Sequence, residues 1–335
     1  MIKIFLSLVV LCMSPGLSRA DEVSERAEIR AAAFTAFVNS DFKSLDAAAQ
    51  DYRRNAARLP SGVWKLSFFY LGVSDRATWN QKDPLAWRQL EEETEQWVAS
   101  NPQSATAVLV RAMVLENHAW SFRGTGPGGR VAEEDMKVFG QLMEVARDFL
   151  LAHKTVGAED PHWYTSMVRI LTCLEANEDS VMAVVDEAMR SKPCYYQTLF
   201  AAVDYFSPKW GRKAADLERY IRLITERTRN EEGMALYARI YWAATESWCA
   251  SEVWPRLNWA DFRRGVFDVL ARYPDEWNYN AFARFACAGR DITLAADMFQ
   301  HVHAPEPQLW RSKQDFDACR SWALSGSSPQ GTRGL

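Results

Sequence analysis

Apolar residues recur along this chain every three or four positions. Trp259, Phe262, Val266, Val269, Leu270 and Tyr273 stand at i, i+3, i+7, i+10, i+11 and i+14, and Pro274 follows. That spacing predicts one face of a helix with a stop behind it. Trp277, Ala281 and Phe285 continue at four-residue intervals; Gly289 is then the expected residue just past a helix end. Asp291 is placed to cap a partner helix, about Asp291 to His303, carrying Ile292, Ala295, Ala296, Phe299 and Val302. Two amphipathic helices joined by "AGRD" predict a helical hairpin.

The same grammar recurs without close identity. "AEIRAAAFTAFVNSDFKSLDAAAQDY" reads as helix, short break and helix, and "MVRILTCLEANEDSVMAVVDEAM" repeats the arrangement around "ANED". Small residues at crossing points with aromatics one turn away are what stacked tetratricopeptide-like hairpins use to approach closely. No fixed 34-residue period survives, and no run alternates apolar and polar residues between hairpin turns. The expected fold class is therefore all-α: an irregular tetratricopeptide-like α-solenoid of about fourteen helices. It forms one repeat-like domain over residues 21–324, and the tail "SGSSPQGTRGL" ends in a disordered stretch, 325–335.

The stretch "SFRGTGPGGR", Ser121 to Arg130, fits the spacing G-x-G-x-x-G. A phosphate-cradling loop of that kind follows a buried strand and opens a helix. Here Val108, Ala112, Leu115, Ala119 and Phe122 give the preceding segment a helical face, and Pro127 removes one amide from the would-be cradle. The loop therefore reads as a connection between hairpins, and no nucleotide or other cofactor is expected.

The N-terminus changes the setting. Lys3, the apolar run Ile4 to Met13 and the exit Leu17-Ser18-Arg19-Ala20 lay out a secretory signal peptide, residues 1–20, cut after Ala20. An uncleaved anchor is the alternative. The run is too short to span a bilayer, and no later segment is long and apolar enough to do so. The reading places the mature chain in the periplasm or outside the cell. Removing Lys3 and Arg19 takes the formal charge from −4 to −6, which argues against a nucleic-acid partner, since that needs a basic face. Cys173, Cys194, Cys249, Cys287 and Cys319 remain, and pairs among them can oxidise on export.

Candidate chemistry is sparse. In the helix from Met234 to Trp248, apolar residues cover the whole circumference and Arg239 is the one charge before Thr245. A buried guanidinium needs a carboxylate, carbonyls or a ligand anion. Leu109, Met113, Glu116, Trp120 and Arg123 follow another helical face, where Glu116 either pairs with Arg123 or, by reaching Arg239, brings both blocks into one groove. In the second case Trp120, Tyr241 and Trp242 become stacking walls. An alternative enzymatic reading uses Glu116 or His118 as an acid/base group. His118, His153, His162, His301 and His303 lack metal-ligand spacing and read as surface or cap residues, so no metal is expected. The acidic runs "LEEETEQW" and "AEEDMK" read as solvated helix faces.

Three blocks, "AWSFRGTG", "PKWGRKAADLERY" and "EGMALYARIYW", together with "YNAFARFACAGRD" and "FDACRSWA", resemble the bacterial domain-of-unknown-function family numbered 4034. The resemblance spans most of the mature chain, with "YARIYW" its most specific part; Arg212 departs from it, standing where a second Gly is expected after Trp210-Gly211. The resemblance implies a helical, tetratricopeptide-like fold and brings no established chemistry.

Together these features favour an exported helical-repeat protein that binds a peptide, a protein or an envelope component through a groove lined by Glu116, Trp120, Arg123, Arg239, Tyr241 and Trp242. An enzyme on a helical scaffold and a purely structural scaffold are the alternatives. Counting rise per residue along successive antiparallel helices puts Cys287 level with Cys319, if the last helix runs from about Leu309 to Leu324. A Cys287–Cys319 disulfide is the expected staple, with Cys249 the competing partner for Cys287.

Overall fold

The computed structural model describes residues 22–78, 81–126, 128–193, 195–207, 210, 212–247 and 253–326. The leader 1–20, Cys194, Cys249 and all but the first two residues of the tail 325–335 lie outside the described residues. Within them the chain is all-helical. The first half comprises α1 (Glu22–Val38), α2 (Phe42–Arg54), α3 (Lys65–Arg76), α4 (Pro84–Ser100), α5 (Ala105–Arg123), α6 (Glu133–Ala152), the single turn α7 (Lys154–Gly157) and α8 (His162–Cys173). The second comprises α9 (Glu178–Ser191), α10 (Gln197–Tyr205), α11 (Ala214–Glu232), α12 (Ala235–Ser247), α13 (Trp259–Arg272), α14 (Glu276–Ala288), α15 (Ile292–Phe299) and α16 (Lys313–Ser325). No strand occurs among the described residues; Arg58 and Trp64 form one isolated bridge.

Helix starts follow the polar residues that the sequence places there. The side chains of Asp41, Asp83, Ser104, Asn177, Asn258, Asp275, Asp291 and Ser312 each accept a first-turn amide, which supplies a partner that the helix itself lacks. The hairpin turns share one geometry. After α1, the Ser40 amide donates to Phe37 and the Asp41 amide to Ala36; after α8, Glu175 donates to Thr172 and Ala176 to Leu171. After α14, Arg290 donates to Cys287 and Asp291 to Ala286. This is the paired closure of a left-handed helix end. The left-handed residues are Ser40, Glu175 and Arg290, at φ 52°, 52° and 56°. Gly289, expected to take that role, has φ −77°; it is small because the Trp259 ring lies where a Cβ would stand.

Two helices end or begin differently from expectation. α15 stops at Phe299 instead of running to His303, because the Glu276 carboxylate takes the His303 and Ala304 amides out of the helical ladder. Pro305 and Pro307 then prevent its renewal. α16 starts at Lys313, capped by Ser312, instead of near Leu309.

Neighbouring helices pack largely in chain order: α1 on α3, α4 and α6 on α5, α6 and α10 on α8, α10 and α13 on α12, and α14 and α16 on α15. Small residues sit where axes approach. A Cβ on Gly72 of α3 would come within 2.1 Å of the Arg30 carbonyl oxygen on α1, and one on Gly265 of α13 within 2.4 Å of the Met234 oxygen. Two apolar cores result. One gathers Phe37, Leu66, Trp97, Leu109, Met143 and Trp163; the other gathers Val185, Tyr220, Leu236, Ile240, Phe262 and Phe285. α5 is buried along nearly its whole length and forms the axis of the first core. No helix of the described residues is long and apolar enough to cross a membrane.

The array also closes on itself. Residues 59–64, between α2 and α3, reach the C-terminal half: Tyr273 occupies the space beside Gly62, and Arg26 of α1 lies over the Trp277 ring at 3.6 Å. An open solenoid makes no such contacts, because each repeat touches only its neighbours.

Candidate functional site

The six residues singled out in the sequence fall into two separate groups. Arg239 on α12 is buried; its Nη2 donates to the Ser61 carbonyl at 2.7 Å, and its guanidinium faces the Tyr196 and Tyr273 rings at 5.3 and 5.4 Å. Asn278 Nδ2 donates to the same Ser61 oxygen at 3.2 Å, and the Ser61 amide donates to Glu22 Oε2 at 2.6 Å. Burial pushes the Arg239 guanidinium down and the Glu22 carboxyl up from their usual ranges. The Tyr241 hydroxyl is held by Glu218 and by the Arg256 carbonyl, and Trp242 packs edge-on to Phe282 at 5.7 Å. These three residues of α12 therefore knit the C-terminal core and the clasp at Ser61.

Glu116, Trp120 and Arg123 lie elsewhere. Neither pairing considered for Glu116 is made. Its carboxylate points from α5 to α8, where Arg169 Nη2 comes within 2.9 Å of Oε1. Arg123 and Arg239 are both engaged otherwise, so no Glu116–Arg239 pair joins the two groups into one groove. The Glu116 side chain is 2% exposed and that of Arg169 is 45% exposed, so the pair is asymmetric: a buried carboxylate under a cation open to water. The approach is close but not aligned, and Oε1 has no hydrogen bond. Burial pushes the Glu116 carboxyl above its usual range, and Arg169 only partly offsets this.

Arg123 takes an unexpected role. Its Nη1 donates to the Gly124 carbonyl at 2.9 Å and approaches the Gly126 carbonyl at 3.3 Å. The glycine loop thus turns oxygens inward on a cation, the opposite polarity from a phosphate cradle, which presents amides. Trp120, Phe139 and Trp210 surround the guanidinium, with ring centres at 5.0, 5.9 and 5.8 Å. No carboxylate partners it among the described residues. Two sequence blocks far apart in the chain, around Arg123 and around Trp210, are brought together here. Arg212 lies across the Tyr205 ring at 4.4 Å and reaches the Ala176 carbonyl, so its side chain joins α10 to the α8–α9 turn.

Cys173 ends α8 beside this patch. Burial and the Glu116 charge push its thiol up to about 12, so it is protonated at neutral pH and is no activated nucleophile. His118 cannot join Glu116 as an acid/base pair. Two positions apart on one helix, they point to different neighbours, and His118 Nδ1 meets Glu91 Oε1 of α4 at 2.5 Å while its ring stacks on Trp87. "LEEETEQW" is accordingly more than a solvated face, since Glu93 also pairs with Arg76 at 2.8 Å.

His162 corrects the expectation for the histidines. It opens α8 but is buried, stacked on Tyr70 at 4.3 Å, with Nδ1 sharing a hydrogen bond with the Tyr195 hydroxyl at 2.8 Å. Burial drives its pKa down to about 3. Beside it, fully buried Asp160 accepts from Arg53 at 2.7 Å, from the Tyr70 hydroxyl at 2.5 Å and from the His162 amide at 2.8 Å. This network gave no signal in sequence because its members come from α2, α3, the α7–α8 connection, α8 and the residues before α10. His153 closes α6 and His303 is exposed, as cap and surface residues do. No group of three or more metal-ligating side chains occurs among the described residues.

Cys287 and Cys319 are joined as a disulfide, with Cα atoms 5.9 Å apart. Comparison with family models, with curated proteins and with solved structures finds no match.

Proposed function

We propose that this chain is an exported, tetratricopeptide-like helical protein of the family it resembles, numbered 4034, that binds a peptide, a protein or an envelope component. The surface built by the C-terminal ends of α5 and α8 and by Trp210 is its binding face. One observation carries the reading: the buried Glu116 carboxylate is paired with a half-exposed Arg169, and the aromatic-walled Arg123 lies near the same Cys173 thiol as this pair. A buried carboxylate facing a cation that is half open to water leaves guanidinium donors at the surface, and this supports a binding role. Acidic groups of a ligand on Arg123 and Arg169 complete it. Residues 1–20 are the leader that takes the chain out of the cytoplasm, and the Cys287–Cys319 bond fits the oxidising setting beyond it.

The test uses the mature protein and an envelope extract from its host. The Arg123→Ala/Arg169→Ala variant should lose the ligand that the parent captures, and Arg88→Ala, an exposed change on α4, should keep it. Equal capture by all three removes the face from consideration. Intact-mass analysis of host-derived protein should find a chain beginning at Asp21; a full-length cytoplasmic chain ends the export reading.

A further inference from the structure

The two halves of the array are joined in two unlike ways. At α8 and α9 their cores meet through apolar side chains: Met167 and Ile170 of α8 belong to the first core and Val168 to the second, while Leu171 of α8 and Val184 of α9 pack against both. The second junction is the clasp at Ser61. Leu59 and Trp64 are buried in the first core, so the connection 59–64 belongs to the N-terminal half and only its tip reaches across.

Contacts across the clasp are polar or run from a cation to a ring. The Ser61 carbonyl receives Arg239 Nη2 and Asn278 Nδ2, Arg26 lies over Trp277, and Arg58 faces the Tyr196 and Tyr273 rings at 5.6 and 5.9 Å. Every polar atom of Ser61 is engaged, since its amide donates to Glu22 and its hydroxyl accepts Arg26 Nη2 at 3.5 Å. The side chains that grip it are less well served. Arg26 Nε, Arg239 Nε and Asn278 Oδ1 are buried there and meet no hydrogen-bonding group of the protein.

Separating an apolar junction costs free energy in proportion to the area exposed, whereas polar groups recover hydration as they part. Burial pushes the Glu22 carboxyl up and the Arg26 and Arg239 guanidinium groups down from their usual ranges, a desolvation penalty borne only in the closed form. The apolar seam at α8–α9 has no such relief and stays shut. We infer that the clasp at Ser61 is a releasable latch: its tip leaves Arg239 and Asn278 while both cores stay packed, and the array passes from a closed to an open form about α8–α9. Opening bares the Tyr196, Tyr273 and Trp277 rings and the Arg239 guanidinium, a surface that closure hides. The inference does not depend on the binding face around Arg123 and Arg169.

Thiol labelling of the folded protein tests it. Ser61 is buried, and Ser61→Cys keeps the carbonyl and the amide that the clasp uses. Ser166→Cys puts the comparison thiol at an equally buried position within α8, which stays packed in both forms. Peptide mapping after alkylation should show position 61 labelled at least about tenfold faster than position 166, since a local opening takes less free energy than global unfolding. Urea below the unfolding transition should speed labelling at 61 less than at 166, because opening exposes less surface. Arg239→Met/Asn278→Ala, which removes both donors, should keep its helical circular dichroism and scatter as a more extended particle, about 1 Å or more above the radius of gyration near 20 Å of a compact chain of this length. Equal labelling rates with equal urea dependence mean that the clasp parts only on global unfolding, and overturn the inference. A folded double variant with the parent's radius overturns it as well, because the tip then frays without the halves opening. If the double variant does not fold, the labelling comparison decides alone.

Discussion

Arg239 donates its Nη2 hydrogen bond, at 2.7 Å, to the carbonyl oxygen of Ser61, a residue 178 positions earlier in the chain. The same oxygen accepts Asn278 Nδ2 at 3.2 Å, so one backbone carbonyl in the α2–α3 connection is gripped by two helices of the C-terminal half. This contact closes the helical array.

A shared acceptor makes a specific energetic prediction. Arg239→Met leaves Ser61 with Asn278, and Asn278→Ala leaves it with Arg239; each change should cost about 1–2 kcal/mol. The double variant orphans a buried carbonyl. Its loss should exceed the sum of the single losses by about 1 kcal/mol or more, since a buried unsatisfied group bears its full desolvation penalty. Urea unfolding of the four proteins measures the cycle, and strict additivity means that the two donors do not share this oxygen in solution.

Close helix contact predicts opposite signs for two glycine substitutions. Gly72→Ala puts a methyl 2.1 Å from the Arg30 carbonyl oxygen, and backbone cannot step aside as a flexible side chain can. Strain of about 1–3 kcal/mol should outweigh the gain of up to about 1 kcal/mol in helix propensity. Gly140 lies within α6 and nothing stands within 4 Å of its would-be Cβ, so Gly140→Ala should stabilise by up to about 1 kcal/mol. Thermal melts of the two variants decide the pair.

These cases show what a sequence discloses here. The stripe from Trp259 to Leu270 and the cap at Asp291 were legible because helix period and capping are local properties. The left-handed ends at Ser40, Glu175 and Arg290 were not, because the conformation is imposed by two backbone hydrogen bonds and the residue type only tolerates it. Glu116 and Arg239 were recognisable as charges on apolar surfaces. Their partners were not: Arg169 stands on another helix, and Ser61 contributes a carbonyl that every residue possesses.

The disulfide should be recovered as a Cys287–Cys319 peptide under non-reducing mapping, with Cys173 alkylated only after unfolding. Bridging a sequence separation of 32 confines the unfolded chain, which corresponds to about 3–4 kcal/mol in the chain-entropy model. Cys319→Ser should therefore lower the denaturation midpoint markedly, and adding reductant to the parent should lower its midpoint likewise.

Glu116 should make the protein less stable as pH rises through the acidic range. Its folded carboxyl is held above the ordinary 4.5, so between that value and the raised one the native state binds more protons than the unfolded chain, and stability falls with increasing pH. Glu116→Gln removes the group and should flatten this part of the profile, leaving the variant at least as stable as the parent at pH 7. A profile unchanged in the variant means that Arg169 compensates the burial fully.

His162 works in the opposite direction and over a different window. Its ring is buried between Tyr70 and Tyr195, and its pKa falls to about 3 against 6.5 for a free imidazole. Between those values the unfolded chain takes up a proton that the native protein refuses, so stability declines as pH falls from 6.5 toward 3. The slope from this one group reaches at most about 1.4 kcal/mol per pH unit. His162→Gln has no proton to gain. It should lose stability at pH 7, where the stack on Tyr70 is missed, yet lose less than the parent on acidification, so that the two profiles converge below pH 6. Denaturant midpoints between pH 4 and 7.5 provide the comparison, and parallel profiles show that the imidazole is protonated within the fold.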